Sequence, residues 1–195
     1  MAPYLLAFFS TFFALALFWP TLRLWREHRV NALVLPSDDS AHGLVGRLFK
    51  GTILAAFMLL VSLSLGLSLA VIGPLSWLES STTDFIGWVL LAASLLWIVV
   101  AQAQMGASWR IGIDSGSHTE LVTGGIFQLS RNPIFLGMRL SLLGLFLVLP
   151  NAVTLAILVL GEALMQVQVR LEEEHLGALH GEAYVAYRKR VRRWA

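Results

Sequence analysis

The run from Tyr4 to about Trp25 carries no charged residue before Arg23, and it decides what surroundings this chain requires. At 1.5 Å per residue, a helix of that length crosses a hydrocarbon core of about 30 Å. No Lys or Arg precedes it, and it exceeds the short apolar region of a cleaved signal, so it is expected to persist as a first span. Two further runs share this character. The second extends from about Gly51 to Ile72 and stops at Gly73-Pro74; the third extends from Phe85 to about Gln104, after a polar turn over Glu79 to Asp84. Trp88 and Trp97 need no role there beyond packing or interfacial anchoring. The chain is apolar again from Pro133 to Leu149 and from Ala152 to Val169, with only Pro150-Asn151 between, which predicts a tight helical hairpin. Both arms are short for a span, so tilt, local thinning or burial against other helices is expected. From Arg170 onward, charges recur at helical spacing beside Leu176, Leu179, Tyr184 and Tyr187, the pattern of a surface helix. The expected fold class is an all-α integral membrane protein with about five transmembrane helices plus a C-terminal amphipathic helix.

With 57% hydrophobic and 13% charged residues, the composition lies outside that of a soluble domain. Cysteine is absent, which excludes disulfides, thiolate nucleophiles and Cys-ligated zinc. The histidines His28, His42, His118, His175 and His180 lack metal-ligand spacing and are expected at the surface, with no metal. No stretch interleaves bases with aromatics, so no nucleic-acid partner is expected. The 14 Lys and Arg residues report orientation instead. Arg23, Arg26, Arg29, Arg47 and Lys50 flank the first connection, Arg110 and Arg131 lie in the third, and Arg170, Arg188, Lys189, Arg190, Arg192 and Arg193 follow the last span. With five spans this predicts a multi-pass protein of the cytoplasmic (inner) membrane, N-terminus outside and C-terminus cytoplasmic.

Only Arg139 stands apart from that pattern. It precedes Pro150 by as many residues as Glu162 follows Asn151, so an antiparallel hairpin brings the two to one depth, roughly 16 Å from the turn. A charge at such depth normally faces the bundle interior with a partner. The pair either orients the hairpin or contacts substrate.

Residues 105–132 form the longest irregular segment and separate an N-terminal three-helix region, 1–104, from a region of different character, 105–195. Trp109, beside Arg110, is either an interfacial anchor or a pocket wall. In Ser130-Arg131-Asn132-Pro133, Asn132 is placed to cap the following helix and Pro133 to occupy its first turn. Gly124 and Gly125 just before allow close backbone approach to a ligand. Helix-terminal amides with Arg131 beside them suit a carboxylate or phosphate. Glu172-Glu173-Glu174 alone reads as a solvated charge run at a helix start. If the hairpin is antiparallel, however, the acidic cluster returns to Arg131 and Asn132, and a cavity between anion receptor and carboxylates suits an amino-acid zwitterion.

The segment from Gly106 onward resembles the isoprenylcysteine carboxyl methyltransferase and phospholipid methyltransferase families of membrane enzymes. The resemblance rests on five elements in order: Gly106 with Trp109; Leu121-Val122 with Gly125 and Phe127; Arg131-Asn132-Pro133 with Phe135 and Gly137; Glu172-Glu173 with Leu176; and Gly181, Tyr184, Tyr187 and Val191. It implies an S-adenosylmethionine-dependent methyltransferase acting on a lipophilic small-molecule or lipid acceptor, such as the carboxylate of a prenylated or fatty compound. Leu121, Val122, Gly125 and Phe127 would line the adenosine side, and Arg131, Asn132, Pro133, Phe135 and Leu136 would bound the cofactor at the helix start. Glu172 or Glu173 would hold its amino group, and Tyr184 or Tyr187 would close the site. Arg131, Asn132, Arg139 and Glu162 are the candidates for acting on substrate. The families' His is Asn132 here and their Tyr is Phe135, so no imidazole base is available. A carboxylate acceptor needs none, since alignment in line with the methyl carbon and sulfur supplies much of the catalysis; an amine or thiol would lose its proton to Glu172, Glu173 or water. No glycine-rich turn follows a predicted strand, so a Rossmann-type arrangement finds no support. A sterol-reductase-like enzyme using NADPH, which shares an Arg-His-Pro-x-Tyr segment, and a non-catalytic scaffold or transport accessory are the competing readings.

Overall fold

The computed structural model describes residues 1–29, 39–109 and 120–195; Arg110, His118 and the side chain of His28 lie outside the described part. The first span consists of α1 (Ala2–Phe13), a π-helical turn (Ala14–Phe18) and α2 (Trp19–His28). The turn has a cause in the sequence. Pro20 lacks the N–H that would bond the Ala16 carbonyl in a regular α-turn, and Gln102 Nε2 from a later helix donates to that carbonyl at 2.6 Å.

The second span differs from the expectation of 51–72. Helix α3 is Ala41–Ser64: Ser40 caps it by accepting from Gly43 N, so it begins nearly three turns earlier than expected and is long enough to cross by Ser64. Gly66, at φ 103°, follows its end. Helix α4 (Ser81–Met105) is capped by Ser80 and followed by Gly106 at φ 51°. Helix α5 is Pro133–Val148 and α6 is Ala152–His180. Asn151 caps α6 in a reciprocal box: its Oδ1 accepts from Val153 N and Thr154 N, both at 3.0 Å, and its own N donates to Thr154 Oγ1.

Helix α6 corrects a second expectation. It does not end near Val169 but continues through Glu172–Glu174, so the acidic residues stand inside a helix rather than at the start of a new one. The chain turns at Gly181 (φ 52°) into the separate helix α7 (Glu182–Arg190). A single amphipathic helix from Arg170 is therefore replaced by two pieces.

Four helical stretches, Ala2–Glu27, Ala41–Ser64, Ser81–Met105 and Ala152–His180, are long and apolar enough to cross a membrane, and Pro133–Val148 is a shorter apolar helix. Among the described residues there is no β-strand, only one isolated bridge between Pro74 and Asn151. The chain is an all-α, multi-pass membrane protein. Its outer surface agrees with that solvent: Phe18, Leu54, Met58, Phe85, Leu96 and Val159 are all exposed.

Packing sets the position of the hairpin. Helices α4 and α5 run antiparallel at very close range, because Gly87 and Gly144 face each other: a Cβ on Gly144 would lie 2.9 Å from the Gly87 carbonyl oxygen. Near the other end, a Cβ on Gly137 would run into Ile98. Leu5, Phe9, Leu60, Leu91, Leu145 and Val148 form the largest buried cluster, joining α1, α3, α4 and α5. The hairpin turn is tied to the preceding loop by Leu75 N donating to Pro150 O at 3.0 Å and Ala152 N donating to Gly73 O at 2.9 Å. At the opposite end, α6 (about 43 Å) outreaches α5 (about 24 Å), so its final turns project beyond the start of α5.

Candidate active site

The antiparallel return of α6 brings Glu173 to the start of α5. Glu173 Oε1 accepts from Arg131 Nη2 at 3.0 Å, Asn132 Nδ2 at 3.2 Å and Arg193 Nε at 3.0 Å, while Oε2 accepts from Arg193 Nη2 at 2.8 Å. The carboxylate is 5% exposed, so these donors stand in for the water it has lost. The hydrogen bond to Glu173 in turn raises the pKa of Arg193. Arg131 and the acidic cluster thus meet in direct contact rather than across a cavity.

Arg131 also gathers the tail. Its Nη1 donates to the carbonyls of Val191 (2.6 Å) and Arg188 (3.1 Å), its backbone N donates to Arg192 O at 2.9 Å, and Ser130 Oγ donates to Arg193 O at 2.9 Å. Asn132 does not cap α5 through its side chain, contrary to expectation, because its amide is directed to Glu173. Pro133 occupies the first turn as its fixed φ allows.

Helix α7 closes over this end. Tyr187 Oη donates to Phe127 O at 2.6 Å, and the Tyr184 and Tyr187 rings lie edge to face, 6.2 Å apart. Tyr184 is 2% exposed, and its hydroxyl has no hydrogen-bond partner among the described residues. Burial pushes both phenols up to about 12, helped for Tyr184 by the Glu173 charge and for Tyr187 by Tyr184. At neutral pH both are donors, not bases. Leu121 and Val122 are half-buried and Phe127 is buried. Gly125 has φ 59°, and the group in close approach to it is Gln104, whose Oε1 accepts from Ile126 N at 2.9 Å; a Cβ would strike that side chain. Phe135 and Leu136 are half-buried on α5, and Trp97 Nε1 donates to Pro133 O at 2.9 Å. Trp109 is buried with Leu24, against Met105 and Ile134, which excludes an exposed interfacial anchor.

Of the three glutamates, Glu173 has its oxygens engaged, Glu174 is exposed, and Glu172 is half-buried with no hydrogen bond to a described residue. Glu172 also bears electrostatically on the Tyr184 hydroxyl. A carboxylate and a buried hydroxyl, both without hydrogen-bond partners among the described residues, therefore stand at one end of the hairpin.

Deeper in the hairpin, Arg139 Nε donates to Glu162 Oε2 at 2.7 Å, as the counting from Pro150-Asn151 predicts. Glu162 Oε1 accepts from Gln166 Nε2 at 2.7 Å, and Arg170 Nη1 donates to Gln166 Oε1 at 3.0 Å. The Arg139 guanidinium lies 4.4 Å from the centre of the Trp194 ring. Arg193, Trp194, Ser130 and Gln104 were not singled out by sequence reasoning. The one signal was the basic run ending in Arg193-Trp194, which reads first as a topology marker. His42, His175 and His180 are half-buried, and no group of three or more His, Asp or Glu comes together to hold a metal among the described residues. An open apolar depression of about 530 Å³, lined by Met1, Tyr4, Phe8, Thr11 and Trp88, lies at the far end of α1 and α4 and holds none of these groups.

A family model described as phospholipid methyltransferase matches residues 82–183, more than half of the chain. The chain belongs to the phospholipid methyltransferase family. The matched region of this membrane methyltransferase begins in α4 and contains Arg131, Asn132, Arg139, Glu162, Glu172 and Glu173; Tyr184, Tyr187, Arg193 and Trp194 follow it. No curated protein and no solved structure gave a match to this methyltransferase.

Proposed function

We propose that this methyltransferase uses S-adenosylmethionine, held where α5, α6 and α7 meet, and methylates a lipophilic acceptor that enters from the bilayer. The observation that carries the reading is the pair of unspent groups beside an otherwise saturated cluster: the buried Tyr184 hydroxyl and the Glu172 carboxylate. Burying a hydroxyl without a partner costs about 1–3 kcal/mol, so a ligand that supplies one gains by it. Glu172 suits the ammonium of an amino acid, and the phenol donates to its carboxylate. Glu173 is assigned a different part: it draws Arg131, Asn132 and the tail into one unit. Phe127, Leu121 and Val122 offer an apolar wall on the adenosine side.

When bound, S-adenosylmethionine supplies an electrophilic methyl whose carbon–sulfur bond breaks with both electrons going to sulfur, leaving a neutral thioether as the acceptor's lone pair forms the new bond. The chain's part is to align the reactants and exclude water. An anionic oxygen acceptor needs no base, and an amine would pass its proton to Glu172 or water. Among the described residues, the basic ends of α2, α3 and α7 and the start of α5 share one end of the bundle, which supports a cytoplasmic face for that end and an N-terminus outside.

Calorimetry on the full chain in detergent, with S-adenosylhomocysteine and NADPH in parallel, tests the donor. Binding of the homocysteine compound is expected. Binding of NADPH alone would select the reductase reading, and binding of neither the scaffold reading. Mass spectrometry of lipid extracts after incubation with labelled S-adenosylmethionine then identifies the acceptor.

A further inference from the structure

Arg139 and Glu162 form an ion pair that is not sealed: their side chains are 30% and 36% exposed. Arg139 lies six residues beyond Pro133, about 9 Å along α5 toward the lipid layer. A charged group held there in contact with its surroundings is costly unless those surroundings are polar. The two partners are not equally satisfied. Both Glu162 oxygens are engaged, one by Arg139 and one by Gln166. Arg139 uses only Nε, and neither Nη1 nor Nη2 bonds to a described residue. The cluster therefore keeps an open donor fork on Arg139, while each Glu162 oxygen already has a partner.

We propose that the open Nη fork of Arg139, stacked on Trp194, seats the anionic group, carboxylate or phosphate, of a membrane amphiphile. Trp194 covers one face of the guanidinium and restrains its plane, which leaves the edge to make two parallel hydrogen bonds. Arg170, bonded to Gln166 one turn along α6, adds a second positive charge nearby. An ammonium group would instead meet two like charges here, Arg139 and Arg170. One helical turn deeper, on the same faces as Arg139 and Glu162, Leu143 and Val159 are exposed, giving an apolar chain a surface to lie on.

The seat adjoins the proposed cofactor end. Arg193 is bonded to Glu173 and its neighbour Trp194 lies on Arg139, so adjacent tail residues join the two clusters, whose glutamates stand about 16 Å apart along α6. Glu162, Gln166 and Glu173 also succeed one another along one face of α6. On the methyltransferase reading above, on which this assignment rests, the seat holds the acceptor by its anion.

The test is binding of four amphiphiles to the full chain in neutral detergent: oleate, phosphatidic acid, methyl oleate and phosphatidylcholine, each with the wild-type protein and with Arg139→Gln. Binding of oleate or phosphatidic acid, weakened about tenfold or more by the substitution, is expected. Methyl oleate, which lacks the charge, is expected to bind at least tenfold more weakly than oleate. The two anionic arms separate a carboxylate from a phosphate ligand, and either supports the seat. Equal affinity for oleate and methyl oleate, or unchanged binding of both anions by Arg139→Gln, overturns it. If Arg139→Gln does not fold, Trp194→Leu, which leaves the ion pair intact, is expected to weaken anion binding several-fold, and no change overturns the seat. S-adenosylhomocysteine binding is measured in the same samples. Its absence alongside Arg139-dependent anion binding would remove the cofactor reading and leave the seat standing; its presence without anion binding would do the reverse.

Discussion

Glu173→Gln isolates the charge at the centre of the tail cluster while keeping the side chain's shape. In the wild type, Glu173 neutralises Arg131, whose side chain is 9% exposed, and Arg193, which is 30% exposed. The amide keeps one acceptor oxygen but places an NH2 group against a guanidinium. Removing one member of a buried ion pair costs about 3–5 kcal/mol, mostly because the charge left behind is poorly solvated. Arg131 bears that cost in full, whereas Arg193 recovers part of it from water. Arg193→Ala, which leaves Glu173 with Arg131 and Asn132, is therefore expected to cost less, about 1–3 kcal/mol. The assay is equilibrium unfolding in mixed micelles with tryptophan fluorescence, since Trp194 reports the position of the tail. A Glu173→Gln variant within 1 kcal/mol of wild type, or one less destabilised than Arg193→Ala, refutes the argument that Glu173 is the common anchor.

Tyr184→Phe removes a hydroxyl that has no partner among the described residues, so stability is expected to be unchanged or slightly higher while S-adenosylhomocysteine binding weakens about tenfold; a loss of stability without a loss of affinity contradicts the assignment. Tyr184 and Tyr187 ionise only near pH 12, so their folded-state pKa values lie above the unfolded value of about 10. The stability this confers is complete below pH 10 and is lost as pH rises toward 12, because the unfolded chain releases those protons first. Absorbance titration of a Tyr4→Phe background, which leaves only these two of the 3 tyrosines, is expected to show tyrosinate only as the protein unfolds; ionisation of either near pH 10 in the folded state counters it. Gly144→Ala places a methyl 2.9 Å from the Gly87 carbonyl and is expected to cost about 1–3 kcal/mol by separating α4 from α5, whereas Gly51→Ala, with open space around it, is expected to be neutral; equal effects would refute the close helix crossing.

Hydropathy locates the lipid-facing layer well and helix ends poorly, and the reason is physical. Hydropathy places the start of the second span at about Gly51, just past Arg47 and Lys50, yet a helix passes through charged residues freely once it leaves the hydrocarbon. Its start is set by Ser40 accepting from Gly43 N. In the same way, α6 runs past Arg170 and Glu172–Glu174 and breaks only at Gly181, where φ is 52°. Much of the site was accessible by counting residues from the Pro150-Asn151 turn, which predicts both the Arg139–Glu162 pair and the return of the acidic cluster to Arg131. Arg193, Trp194 and Gln104 escaped because their contacts join irregular backbone to helix, and such contacts have no period. Asn132 reads as a cap from its neighbours because a cap and an inward-facing amide have the same local sequence, and only Glu173 across the hairpin distinguishes them.

The adjacency of Arg193 and Trp194 has a thermodynamic consequence. The first is held by Glu173 and the second by Arg139, so a ligand that draws one residue away disturbs the other through a single peptide bond. Two ligands bound at these neighbouring places cannot then be energetically independent. By linkage, whatever factor the first imposes on the affinity of the second, the second must impose on the first.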